Sequence, residues 1–280
     1  MKVVYTISEV RELVKQYKRD GLKVGFVPTM GYLHEGHGSL IKRAKDENDI
    51  VIVSTFVNPI QFGPNEDLDK YPRDQKRDEE VCETYGGDVM FLPSVEEMYP
   101  EERKTTVTVE GLTAGLCGAK RPGHFNGVTT VVTKLFNIVL PDRAYFGQKD
   151  AQQLMVIKKM VRDLNSPVEV IGCPIVREED GLAKSSRNKY LGEEERKAAL
   201  VLSRGLKEAK KAIDNGEKVS KNVISIISDV INKEPLAKID YVSIVDINTM
   251  EDVEEIGSGV LIAMAVYIGK TRLIDNIILE

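Results

Sequence analysis

From its first residues to about residue 176 the chain alternates short β-branched runs with longer amphipathic stretches, and this alternation restricts the fold more than any other feature. Strand-like runs at 22–27, 50–56, 89–92, 144–146 and 168–171 are separated by stretches with helical spacing at 36–46, 74–85, 127–139 and 149–164. A helix between two strands carries the chain back to the end where the first strand began, so the next strand runs parallel to it. Thr6-Ile7-Ser8-Glu9 has the form of a capping box, and Val10, Leu13, Val14 and Tyr17 repeat at helical spacing until Gly21. The sequence therefore predicts an α/β fold built on a mainly parallel sheet flanked by helices.

The pattern changes after REEDGLAKSSRNKYL. Charged amphipathic helices are expected at 193–215 and 220–232, followed by strands at 239–245, 259–268 and 272–278. This reads as two domains, 1–176 and a smaller C-terminal α+β cap over 177–280 that carries the Lys-Ser-Ser-Arg segment. Of the 280 residues, 42% are hydrophobic and 30% charged, enough apolar material for a sizeable core. A net charge of −5 supplies no basic face for a nucleic-acid backbone, so an anionic ligand must be held locally. The opening residues lack a signal-peptide pattern, and the apolar stretch 260–268 is about half the roughly 20 residues a membrane span needs. A cytoplasmic protein, with neither nucleic-acid nor membrane partners, is the expectation. Cys82, Cys117 and Cys173 are odd in number and widely spaced, which argues against a disulfide framework or a zinc site and for free thiols.

Four segments carry groups suited to chemistry. PTMGYLHEGHGSL at 28–40 joins a strand to a helix, where Gly31, Gly36 and Gly38 permit close backbone approach to a nucleotide and the helix start offers unpaired N–H groups to phosphate. His34 and His37 lie three apart, so their rings can address one charge. Ordinary surface or core histidines are the competing reading, yet the chain has only three and two of them sit in this turn. Zinc would need a third ligand, which is not evident nearby. In the segment 54–74, Gln61 offers a neutral amide beyond a strand end, while Asn58-Pro59 and Gly63-Pro64 read as turns. DRAYFGQKDAQQL at 142–154 places Gly147, Gln148, Lys149 and Asp150 before a helix as a phosphate cradle, with Gln153 one turn beyond Lys149. GLAKSSRNKYL at 181–191 concentrates Lys184, Ser185, Ser186 and Arg187, either an anion grip or a solvated hinge.

Together these segments resemble one family. His34-Glu35-Gly36-His37 looks like the HIGH signature of the nucleotidyltransferase and class I aminoacyl-tRNA synthetase superfamily, and Lys184-Ser185-Ser186-Arg187 resembles its KMSKS counterpart. PTMGYLHEGH, FVNPIQFGPNEDLDKYPR, CGAKRPGHFNGV, AYFGQKDAQQ and KSSRN, in this order, are similar to the pantothenate synthetases over most of 24–190. The resemblance implies a Rossmann-like first domain, a homodimer, and condensation of pantoate with β-alanine to pantothenate, AMP and pyrophosphate. ATP enters as a substrate with Mg²⁺ on the nucleotide, with no organic cofactor and no dedicated protein metal site.

It assigns ATP to Met30, Gly31, Tyr32, Leu33, His34, Glu35, Gly36 and His37, to Gly147, Gln148, Lys149 and Asp150, to the backbone of Val176, and to Lys184, Ser185, Ser186 and Arg187. Pantoate falls to Gln61 and Gln153, with Gln61 also touching β-alanine, and His37 is the expected proton donor beside His34 and Lys149. The Gly181-bearing segment is expected to move when ATP binds. A superfamily nucleotidyltransferase that leaves AMP on its product, a synthetase fragment, and a nucleotide-binding module without activity are the competing readings.

Overall fold

The computed structural model of the protein describes residues 1–64 and 66–279. They divide into two compact units, Met1–Val109 with Arg121–Gln148 and Val156–Pro174, and Glu110–Lys120 with Lys149–Met155 and Ile175–Glu280.

The first unit holds a parallel sheet of β1 (Lys2–Val4), β2 (Val24–Thr29), β3 (Ile50–Thr55), β4 (Val89–Phe91), β5 (Arg143–Gly147) and β6 (Glu169–Cys173) in the order β1-β4-β3-β2-β5-β6. Its helices are α1 (Ile7–Arg19), α2 (Glu35–Glu47), α3 (Gln75–Thr84), α4 (Val95–Met98) and α6 (His124–Val139); α5 (Leu116–Lys120) lies in the other unit, and α7 (Ala151–Asp163) has residues in both. Val51, Ile52 and Val53 of β3 are all fully buried, a continuous apolar run rather than an alternating one, because helices cover both faces of a parallel sheet. On one face Leu40, Ile41 and Ala44 of α2 join Val27, Val51, Val53 and Tyr145 in a single core cluster. Thr6 caps α1 with Glu9 completing the capping box, as the sequence predicts.

Strand β2 sits in the middle, paired with β3 from Val24↔Ile50 to Thr29↔Thr55 and with β5 at Gly25↔Arg143 and Phe26↔Ala144. After β4 the chain crosses to the other side of β2 to form β5. The segments leaving the carboxyl ends of β2 and β5 therefore depart in opposite directions, and the strand order reverses between these two strands, the usual ligand position in open α/β sheets.

In the second unit β7 (Ala237–Asp246), β8 (Val260–Ile268) and β9 (Thr271–Leu279) form an antiparallel sheet in that order. Leu202 and Leu206 of α9 (Val201–Asp214), with Val223 and Ile227 of α10 (Ser220–Asn232), pack with Ile262 and Met264 of β8. The long helix expected over 193–215 is divided, α8 (Glu193–Ala198) ending before α9 begins. The run Ala198-Ala199-Leu200-Val201-Leu202 is apolar at five consecutive positions, whereas a straight amphipathic helix buries only a stripe; the break lets Ala198, Ala199, Val201 and Leu202 all be buried. The edge strand β1, only three residues long, is too short to show a period and was not anticipated.

Among the described residues no helix is long and apolar enough to cross a membrane. All three cysteines are free, and burial pushes the Cys82 thiol up to about 12.

Asp275 on β9 is 2% exposed and takes two bonds from the Arg177 guanidinium, at 2.7 and 2.9 Å, plus the Asn276 amide at 2.8 Å. Asp275→Ala removes the acceptor and strands the cation, so a loss of about 3 kcal/mol is expected in urea unfolding. A loss within experimental error of zero would mean that water replaces the carboxylate there.

Candidate functional site

The loop after β2 turns sharply. Gly31 and Tyr32 are both left-handed, with φ of 80° and 53°, and His34 follows in extended conformation as the N-cap of α2. His34 Nδ1 accepts the Gly36 amide at 3.1 Å, and the His34 amide donates to His37 Nδ1 at 3.3 Å. An amide N–H can only donate, so both Nδ1 lone pairs are engaged and each neutral ring carries its proton on Nε2. The two rings lie 4.1 Å apart between centroids, tilted by 40°. Two imidazole N–H donors thus stand at the start of a helix, whose own first amides also favour an anion.

Beyond β3, the turn Pro59–Gln61 presents Gln61, which is 7% exposed. Its Nε2 donates to Met30 Sδ at 3.1 Å and its Oε1 accepts Asn58 Nδ2 at 3.0 Å. Asn58 is held in turn by the Tyr99 hydroxyl, which donates to Asn58 Oδ1 at 2.9 Å. The Gln61 carbonyl accepts His124 Nδ1 at 2.9 Å, and His124 Nε2 lies 2.9 Å from the Arg121 guanidinium, itself paired with Glu66 at 2.7 and 2.6 Å. Arginine only donates and a carbonyl only accepts, which fixes His124 as neutral with its proton on Nδ1, the reverse of His34 and His37. Helix α6 reaches this turn through Gly127: a Cβ there would lie 2.4 Å from the Ile60 carbonyl oxygen and 2.5 Å from Gln61 Cα. Gly147 and Gln148 stand at the end of β5, the neighbour of β2. The structure brings Met30 and Gln61 into contact, as it does His34 and His37.

The second unit holds the remaining candidates. The Lys149 carbonyl accepts Asn276 Nδ2 at 2.9 Å, and its ammonium lies 4.0 Å from the Asp150 carboxylate. Gln153 is half-buried in the first turn of α7, while the neighbouring Gln152 is buried. Gln152 donates to the Leu112 and Gly115 carbonyls at 2.9 and 3.0 Å and accepts the Cys117 amide at 3.0 Å. Val176 and Lys184 face each other across a small hairpin, the Lys184 amide donating to the Val176 carbonyl at 3.0 Å, with Gly181 at its turn. Ser185 then caps the short helical turn Ser186–Tyr190, which contains Arg187.

A family model described as pantoate-beta-alanine ligase matches residues 2–278. The chain belongs to the pantoate–β-alanine ligase family. It is 62% identical to a pantothenate synthetase of Clostridium botulinum over 99% of this chain and 98% of that one, and 59% identical to one from Caldicellulosiruptor bescii over 100% and 99%. The fold is that of the pantothenate synthetase from Thermus thermophilus, with a TM-score of 0.94 at 48% identity and 99% of each chain covered. A pantoate-beta-alanine ligase from Francisella tularensis, crystallised with beta-gamma ATP and beta-alanine, matches with a TM-score of 0.82 at 36% identity, covering 99% of this chain and 97% of that one.

Sequence reading of this ligase did not single out Asn58, Tyr99, Arg121, His124 or Gln152 as site residues. Asn58, Arg121, His124 and Gln152 lie inside the segments that carry the resemblance, His124 also as the third histidine, but what each side chain holds depends on the folded loops; Tyr99 lies outside those segments and meets Asn58 from 41 residues away.

Burial pushes the Glu66 carboxyl up, but the Arg121 guanidinium outweighs it and holds the group below its ordinary value of 4.5. A depressed carboxylate pKa adds stability that is present above the unfolded value and is lost as pH falls through the folded one. Glu66→Gln should therefore be less stable than wild type at pH 7, with the gap closing below about 4.5 in urea titrations at a series of pH values. A gap unchanged with pH would show that the ion pair contributes nothing.

Proposed function

We propose that this chain activates pantoate with ATP as pantoyl-adenylate, releasing pyrophosphate, and then passes the pantoyl group to the amine of β-alanine, releasing AMP. Condensation of pantoate with β-alanine driven by ATP is the activity of the ligase family to which it belongs. The nucleotide and the amine named for the Francisella relative are taken as substrates here too. The observation that carries the residue-level reading is the tautomer of the paired imidazoles, whose Nδ1 atoms are occupied by backbone amides so that Nε2–H can serve a phosphate.

Pantoate's carboxylate is ionised at neutral pH and attacks the α-phosphorus without a base to create the nucleophile. Alignment and charge stabilisation remain to be supplied. His34 and His37 donate hydrogen bonds from Nε2–H to phosphate oxygens, His37 to the negative charge that builds up as pyrophosphate leaves. Lys149 and Lys184 neutralise the triphosphate; Gly147, Gln148, Asp150, Val176, Ser185, Ser186 and Arg187 contact the nucleotide together with Met30 to Gly36. Gln61 and Gln153 orient pantoate as neutral amides, which do not draw charge from its carboxylate as an ion pair would. Mg²⁺ comes as MgATP, its charge screening the phosphates; among the described residues no three metal-ligating side chains converge. A division near residue 176 and a homodimer belong to the same reading.

Pyrophosphate should appear when ATP, Mg²⁺ and pantoate are mixed, and AMP only after β-alanine is added. His37→Ala and Lys149→Ala should each slow pyrophosphate release by roughly 100-fold. Gln153→Arg should abolish it while pantoate still binds. An adenylylated final product in place of free AMP would overturn the reaction, and wild-type rates in all three variants would place the site on other residues.

A further inference from the structure

The turn that carries the paired imidazoles is gripped by two side chains from α3. Asp78 is 3% exposed; its Oδ2 accepts the Tyr32 amide at 3.0 Å and its Oδ1 the Leu33 amide at 2.5 Å. The left-handed backbone at Gly31 and Tyr32 turns successive N–H groups to one side, a concavity shaped for an anion, and the carboxylate of Asp78 fills it. A Cβ on Gly31 would lie 3.0 Å from Asp78 Oδ2, so the carboxylate sits hard against the turn. Arg77, the preceding residue, donates its Nε to the Leu33 carbonyl at 3.0 Å and places its guanidinium 4.9 Å from the centre of the Tyr32 ring.

The Leu33 carbonyl and the His34 amide belong to one planar peptide group, with oxygen and hydrogen on opposite sides. Holding the oxygen fixes where the hydrogen points, and the His34 amide points at His37 Nδ1. Asp78 fixes the preceding peptide through its Leu33 N–H, so the two peptides leading into His34 are clamped in sequence.

We propose that Arg77 and Asp78 are positioning residues for the imidazole pair: through the Leu33–His34 peptide they hold an amide donor on His37 Nδ1 and so keep the ring proton on Nε2. The proposal rests on the assignment of His37 to adenylation. A leucine or alanine in place of Asp78 could fill space but could not accept two amides, which explains why a charged group is buried at this point of α3. Burial shifts the Asp78 carboxyl upward while the two amides pull it down, in keeping with a carboxylate enclosed by the turn rather than a solvated one.

The chain's three histidines make the test direct, because histidine labelled with ¹⁵N reports each ring's tautomer by NMR. His124, locked with its proton on Nδ1, is an internal reference of the opposite tautomer. In Arg77→Ala and Asp78→Asn, His37 should shift toward a mixture of tautomers while His124 is unchanged. Pyrophosphate release from ATP and pantoate should slow about 10-fold or more, with the KM for β-alanine unaltered. Arg77→Lys, which keeps one donor, should recover part of both signals. Because Arg77 is exposed, its variants report on the proposal even if Asp78→Asn fails to fold. A wild-type His37 tautomer and a wild-type adenylation rate in folded Arg77→Ala would overturn it. His37→Ala separates the two ideas: if that variant keeps full adenylation the underlying assignment is wrong, whereas a slow His37→Ala beside a fast Arg77→Ala refutes only the clamp.

Discussion

The candidate residues of the first unit depend on β2 being an interior strand, hydrogen-bonded on one side to β3 and on the other to β5. An interior parallel strand has its backbone groups paired on both edges and its side chains covered on both faces, so it is among the most rigid parts of such a fold. Its carboxyl end is a firm support from which a short loop can aim a helix start. Because β5 is the neighbour across the reversal of strand order, Gly147 and Gln148 emerge beside the loop that carries His34 and His37.

Upon that support, directional hydrogen bonds set protonation. Amides fix the proton of His34 and His37 on Nε2, while Arg121 and the Gln61 carbonyl fix that of His124 on Nδ1. The same kind of residue is prepared as an outward donor at one place and as an internal strut at another. Gln61 shows how much structure one neutral amide requires: Asn58 and Met30 engage its side chain, His124 its carbonyl, and Gly127 lets the α6 backbone come close enough to support the turn. In the second unit the hairpin that sets Val176 opposite Lys184 is braced from β9, where Asp275 holds Arg177, and from α8, where Arg196 bonds Glu178 and Asp180. Gln152 does similar work for the turn around Cys117, using an amide that can donate twice and accept once in the same buried place.

Much of this was legible because it is local. The capping box at Thr6, the strand at 50–56 and the helix at 220–232 follow from periodicity and end signals within a dozen residues, and the observed boundaries differ by a residue or two where they differ at all. His34 and His37 could be paired from spacing alone, since three positions at a helix start place side chains on one face. The division at Ala199 and Leu200 was missed because a run of apolar residues has no helical phase, and β1 because three residues have no period.

The sequence by itself determined the order of elements, the parallel character of the first sheet, the family and the segments able to carry ATP chemistry, since each is written in residue types and spacings along the chain. Only the tertiary structure decided that Asp78 and Arg77 grip the turn before His34, that His124 supports the Gln61 carbonyl, and which ring nitrogen carries each proton. The grip on the turn and the support of Gln61 rest on hydrogen bonds between residues 44 to 63 positions apart, whose geometry exists only once the sheet has brought distant loops together, while the ring protons of His34 and His37 rest on contacts two and three positions apart that exist only in the folded helix start.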